Sequence, residues 1–168
     1  DVTAIAPRQS RPTETEDVSV ALVRFTSGAI ATVTNSLVSV RETSELRFDY
    51  ENATVELEHL YGYGDANWRV TARAGDTAVL KGWRREAPEV ASGHLAQLTT
   101  IIDALDAGQQ PEVSLTHARD TMEFVAAVYA SAFTGRRIAR GELTPEHPFY
   151  ERMQGTGAPW LTTTGARS

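Results

Sequence analysis

Apolar positions recur with period two from Val2 to about Trp83, with a helical period from Gly93 to Phe133, and without pattern beyond Gly135, where Gly, Pro and Thr take over. Thr3–Ala6 predicts a short strand ended by Pro7 and a polar loop from Gln9 to Glu16. Val18–Phe25 predicts a strand, Thr26-Ser27-Gly28 a turn, and Ala29–Ser36 the antiparallel return. Leu46, Phe48 and Tyr50 alternate with Glu45, Arg47, Asp49 and Glu51, which gives one apolar and one charged face. After a turn at Glu51-Asn52, Ala53, Val55 and Leu57 alternate with Thr54, Glu56 and Glu58. Trp68, Val70 and Ala72, a turn at Gly75-Asp76 and a strand over Ala78–Trp83 make the last pair. The sum is an antiparallel meander of about six or seven strands.

The hairpin over 18–36 departs from clean alternation. Val18, Val20 and Leu22 lie on one face, yet Ala21, Val23 and Phe25 lie on the other. A strand that is apolar on both faces is normally covered on both. Helices can cover one face, and the other calls for a partner surface. Two helices follow. Ser92-Gly93 opens the first, whose stripe is Leu95, Leu98, Ile101, Ile102 and Leu105, and Gly108 stops it. Ser114 caps the second, whose stripe of Ala118, Met122, Val125, Tyr129 and Phe133 is widened by Phe124 and Val128 and ended by Gly135. The expected fold is therefore α+β: an open, mostly antiparallel sheet with two main helices on one face. Residues 1–140 are expected to form this domain, and residues 141–168 a partly irregular extension. Within the extension, Pro145–Met153 fits one helical turn or two, and Gly155–Ser168 reads as an extended or poorly ordered tail.

Composition narrows the function classes. With 168 residues, 41% hydrophobic and 23% charged, the chain has the make-up of a water-soluble globular domain. It contains no apolar run near the ~20 residues of a membrane span. It starts at Asp1 rather than Met and carries no signal-peptide pattern, so it reads as a piece of something longer. With no cysteine, disulfides, thiolate metal ligands and a Cys nucleophile are excluded, which fits a cytoplasmic protein. The net charge of −6 argues against nucleic-acid binding. Lys81 is the only lysine among 16 basic residues, a bias better explained by genomic base composition than by phosphate binding.

Motifs of chemistry are mostly missing. There is no Gly-x-Gly-x-x-Gly, no phosphate loop and no His-Glu-x-x-His. His59, His94, His117 and His147 lack metal-ligand spacing, and Glu56/Glu58 fit a solvated strand face. Lys81, on the predicted last strand, shows no sign of the burial or cationic neighbour a catalytic lysine needs. His94 follows Gly93 at a helix start, where backbone N–H groups gather; it is either a substrate-hydroxyl ligand or a helix-entry histidine satisfied locally. Trp83, followed by Arg84 and Arg85, is either a sugar-stacking platform or a core tryptophan at a strand end.

Three stretches carry a family resemblance. They are Glu16-Asp17-Val18 through Phe25 to Gly28-Ala29; Gly93-His94-Leu95-Ala96-Gln97-Leu98 through Leu105 to Gly108-Gln109-Gln110-Pro111; and Val113-Ser114-Leu115 through Glu123 and Tyr129 to Gly135-Arg136-Arg137-Ile138. In order and spacing this resembles the C-terminal domain of the Gfo/Idh/MocA oxidoreductases, the family of glucose–fructose oxidoreductase and inositol dehydrogenase. The resemblance implies a preceding Rossmann domain that binds NAD or NADP, a substrate held between the two domains, and an open sheet face that packs on a second subunit in dimers or tetramers. The family's Glu-Lys-Pro lysine and its Asp and His lie upstream of this sheet, and neither motif stands in this sequence. By that reading the chain holds no cofactor or catalytic residue of its own and is inactive alone. His94, Trp83 and Arg41 would then line the substrate side, by their place on the sheet rim. The alternative is a non-enzymatic sugar-binding or assembly module that uses the sheet as its interface. A steroid-isomerase-like cone ranks last, because no early helix is visible.

Overall fold

Val2–Ile5 (β1), Val18–Arg24 (β2) and Ile30–Ser36 (β3) form one antiparallel sheet in that order, and Glu45–Asp49 (β4), Ala53–Glu58 (β5) and Trp68–Ala72 (β6) form a second. Three α-helices follow: Thr77–Trp83 (α1), His94–Asp106 (α2) and Leu115–Thr134 (α3). The computed structural model describes residues 1–58, 62–83 and 93–161. The chain divides into two units, Asp1–Val40 with Ser114–Ser168, and Arg41–Val113. The class is α+β, as expected. Among the described residues, however, the strands make two three-stranded sheets rather than a single meander of six or seven, and there are three α-helices rather than two.

In the first unit, alternation along β1 and β2 sends Val2, Ala4, Ala21 and Val23 to a buried face. Ala126, Ala127, Ala130 and Ser131 of α3 are buried in the same unit, and the alanines share one core cluster with those strand residues. Small residues on both sides let the helix axis come close to the sheet, and the closeness has a polar consequence. The Ala4 N–H donates to the Ser131 Oγ at 2.9 Å, a bond buried from water. Val2 and Ile138 exchange backbone hydrogen bonds of 2.9 and 3.0 Å. Together these groups occupy the outer edge of β1, which would otherwise present unpaired donors and acceptors. The chain reaches Ile138 in time because Gly135 closes α3 in the left-handed region, with φ of 67°.

The loop between β1 and β2 is organised by one carboxylate. Asp17 is 2% exposed and accepts from the backbone N–H groups of Gln9 at 2.6 Å and of Ser10 and Arg11, both at 2.8 Å. Those backbone donors, Gln9 first, hold its pKa down at about 2. On the same loop, Glu16 accepts from the Tyr129 hydroxyl at 2.6 Å, and the partial burial of that phenol, with this bond, pushes its pKa up to about 12.

Beyond α3 the segment over 145–153 is a run of turns and contains no helical turn: His147 N donates to Thr144 O and Tyr150 N to His147 O. Its purpose in packing is Phe149, which is 1% exposed and stacks near Phe133. Gly155 has φ of 49°, and a β-carbon there would lie 2.3 Å from the Phe149 ring. The start of the expected tail is ordered as well. Trp160 meets Phe133 edge-on at 5.4 Å, and its indole N–H donates to Glu14 O. Residues 162–168 lie outside the described residues.

In the second unit the alternation of β4 and β5 is realised as read. Arg47 pairs with Asp49, and Arg69 with Glu56 at 2.8 Å, on the charged face, while Val55 and Leu57 are buried on the other. The segment expected as a strand over 78–83 is instead α1. Asp76 accepts from the Val79 N–H at 3.3 Å, as an N-cap does, and Ala78, Leu80 and Lys81 are good helix formers. Lys81 therefore lies on a helix. The α2 helix buries none of its residues, and its stripe of Leu95, Leu98, Ile102 and Leu105 stands exposed.

Two outcomes check this account. Ser131→Ala leaves the Ala4 N–H buried without an acceptor and lowers unfolding free energy by about 1–3 kcal/mol, read by urea denaturation. Asp17 has its pKa lowered by folding, so its contribution is complete above the ordinary value of 3.8 and disappears as pH falls through about 2. Thermal stability of the chain should fall more steeply over that interval than that of Asp17→Asn; parallel curves would contradict the assignment.

Candidate functional site

The three residues singled out from sequence all fall in the second unit, and each has acquired a local partner. Arg41 donates to Glu45 Oε1 at 2.6 Å, with Thr43 donating to the same oxygen at 3.4 Å. Its guanidinium is thus half-neutralised, although the side chain is 70% exposed. His94 opens α2, and its Nδ1 faces Gln97 Oε1 at 3.4 Å on the same helix. The contact is to a side chain of the same helix rather than to backbone, and the ring is still exposed. Among the described residues no hydrogen bond, ion pair or ring contact joins any two of Arg41, Trp83 and His94. Arg84, Arg85 and His59 lie outside the described residues.

Trp83 gains the most from the fold. It closes α1 and tilts against Trp68 of β6, with ring centroids 5.7 Å apart and planes at 56°. Tyr63 meets Trp68 from another side, edge-on at 6.1 Å. The turn that carries Tyr63 toward β6 is fixed by Asn67, whose Oδ1 accepts from Gly64 N at 2.8 Å. The result is a three-ring cluster in which Trp68 is the hub and Trp83 is 43% exposed. Such rings offer flat apolar surface with polar N–H and O–H tips, which suits the C–H faces and hydroxyls of a sugar. Sequence reasoning used Trp83 and missed Tyr63, because the two are 20 residues apart and no periodicity relates them.

Charged groups nearby serve the sheet. The Arg47 guanidinium, and after it the Thr54 hydroxyl, hold the Asp49 carboxyl below the ordinary carboxylate value, and Arg69 does the same for Glu56. These groups are fully ion-paired on a solvated face, not poised as acid or base. Among the described residues no cluster of three or more His, Asp or Glu side chains could hold a metal ion.

No family model matches the chain, and no curated protein matches it. Solved structures do. The WlbA dehydrogenase from Bordetella pertussis, in complex with NADH and UDP-GlcNAcA, superposes with a TM-score of 0.61 at 21% identity, over 82% of this chain and 39% of its own. An oxidoreductase from Agrobacterium radiobacter, in complex with NAD+, L-tartaric acid and magnesium, gives 0.60 at 20% identity, over 85% and 44%. The aldose-aldose oxidoreductase from Caulobacter crescentus, complexed with glycerol, gives 0.60 at 18%, over 80% and 39%. The chain shares the fold of one part of these oxidoreductases. The chain spans about two-fifths of the length of these neighbours, 39–44%.

Proposed function

We propose that this chain is the substrate-binding and oligomerisation domain of an NAD(P)-dependent oxidoreductase that acts on a sugar, polyol or sugar-nucleotide substrate. The reading rests on the superposition of 82% of the chain on part of a dehydrogenase solved with NADH and a UDP-sugar acid. Residues 1–140 are the domain proper, and 141–168 its extension. The three-ring cluster around Trp83, with His94 and Arg41, supplies the substrate-side surface.

The residues described here do not fit a dinucleotide. Every strand pairing among them is antiparallel, so they form no parallel β-α-β crevice with a glycine-rich turn at a helix N-terminus. In this reading NAD or NADP belongs to a separate Rossmann domain, and hydride transfer needs that domain to hold the nicotinamide against the substrate carbon. The 168 residues alone are then inactive. Their contribution is shape.

Oligomerisation is supported by the outer face of the first sheet. Ile5 is 61% and Leu22 52% exposed, and Val20 and Ile30 are exposed beside them. The register sets Thr3 beside Leu22 and Leu22 beside Thr32, so threonines fill the spaces between apolar side chains. A contiguous surface of this kind marks an interaction face. A second copy, in a homodimer or tetramer, is the occupant that the reading calls for. A non-enzymatic assembly module would use the same face, and cofactor binding by the parent protein separates the two.

Two measurements test the reading. Sedimentation of the chain should show a dimer or larger assembly that Leu22→Lys converts to monomer while helical circular dichroism is retained; a monomeric wild type at high concentration contradicts it. Calorimetry with NAD or NADP should give no binding heat to the 168 residues, and measurable affinity contradicts the assignment of the cofactor to another domain.

A further inference from the structure

A cleft of about 360 Å³ opens in the first unit, far in sequence from the aromatic cluster. One wall is a single stripe of α3, running from Arg119 through Met122 to Ala126. The other is the run of turns that carries Leu143, Phe149, Arg152 and Met153. The volume is at the lower end of the ~300–1,000 Å³ of small-molecule sites. Its floor is apolar, with Ala126, Leu143 and Phe149 all buried. Both methionines of the chain, Met122 and Met153, line it, and thioether side chains adapt their shape to an apolar guest.

Two arginines reach the rim. Arg119 stands on one wall and Arg152 on the other, and neither guanidinium is hydrogen-bonded or ion-paired among the described residues. In the same unit Arg24, Arg136, Arg137 and Arg140 all have carboxylate partners. Two carboxylates also reach the cleft. Glu123 is already engaged, its Oε1 accepting from Gly141 N at 2.6 Å. Glu151 has no partner among the described residues and sits at the rim as a like charge to any anion.

We propose that this cleft binds a small amphipathic carboxylate, with its carboxylate held by Arg119 and Arg152 and its apolar body laid on the two methionines. Guanidinium groups suit a carboxylate because their paired N–H donors match its two oxygens. The site is separate from the substrate surface assigned above, and it does not depend on that assignment.

The two methionines make the test direct. In the full chain labelled with [13C-methyl]methionine, the spectrum holds two methyl signals, one from each of Met122 and Met153. Titration with 4-phenylbutyrate should move both signals to saturation, while the uncharged 4-phenylbutyramide should bind about tenfold more weakly. Arg119→Gln and Arg152→Gln should each weaken 4-phenylbutyrate several-fold and leave the amide unaffected. Glu151→Gln should strengthen the acid by removing a like charge. Both arginines are exposed, so the variants are expected to fold, and unchanged methyl positions without ligand confirm it. Equal affinity for acid and amide would show an apolar groove without anion recognition and overturn the proposal. So would methyl signals that do not move, or arginine variants that bind the acid as the parent chain does.

Discussion

The first unit depends on how closely α3 can approach its sheet. Alanine at 126, 127 and 130 and serine at 131 bring the helix within one hydrogen bond of the β1 backbone, and the Ser131–Ala4 bond of 2.9 Å records that separation. A larger side chain in that row would lift the helix and leave the edge of β1 open. The turn at Gly135 would then deliver Ile138 too far from Val2 for their paired backbone bonds. Phe149, Leu143 and Met153 pack on the same cluster, so the C-terminal turns inherit their position from that one contact. Interiors packed at crystal-like density tolerate little adjustment of this kind.

The two faces of the first sheet have opposite fates for the same reason. The inner face alternates valine with Ala4 and Ala21, whose small side chains let a helix lie close. The outer face carries Ile5, Val20 and Leu22, which the rest of the first unit leaves exposed. The second unit is built differently, with a paired charge ladder on one face of its sheet and aromatic rings gathered at its last strand. Among the described residues the charged side chains of both units are engaged largely in pairing and in holding loops. Its most perturbed carboxylate, Asp17, is spent on holding a loop.

Much of this was legible in the sequence where a local pattern was strong. The alternation of Leu46 and Phe48 with Glu45, Arg47 and Asp49 gave β4 directly, and Ser114 with Gly135 bounded α3. The both-faced hydrophobicity of 18–25 pointed to the uncovered face. The segment 77–83 was misread because seven residues are too few to separate a period of two from one of 3.6, and the decisive signal was Asp76, an N-cap taken for part of a hairpin turn. Tyr63 beside Trp68, Trp160 beside Phe133, and the cleft beside α3 were not legible. Each joins residues that only tertiary packing brings together, and no spacing along the chain announces such a meeting.

The first unit is also discontinuous, since all of Arg41–Val113 is inserted between β3 and α3. On the ribosome, β1, β2 and β3 therefore emerge long before the helix that covers them. At ~5–20 residues per second, about 5–20 s separate Ser36 from the last turn of α3. During that interval the nascent sheet shows apolar side chains on both faces and an unsealed β1 edge. Arg24, ion-paired to Asp1, is the charged group at the border of that sheet. The order of elements along the chain thus leaves the first sheet without its helix while the whole of the second unit is made.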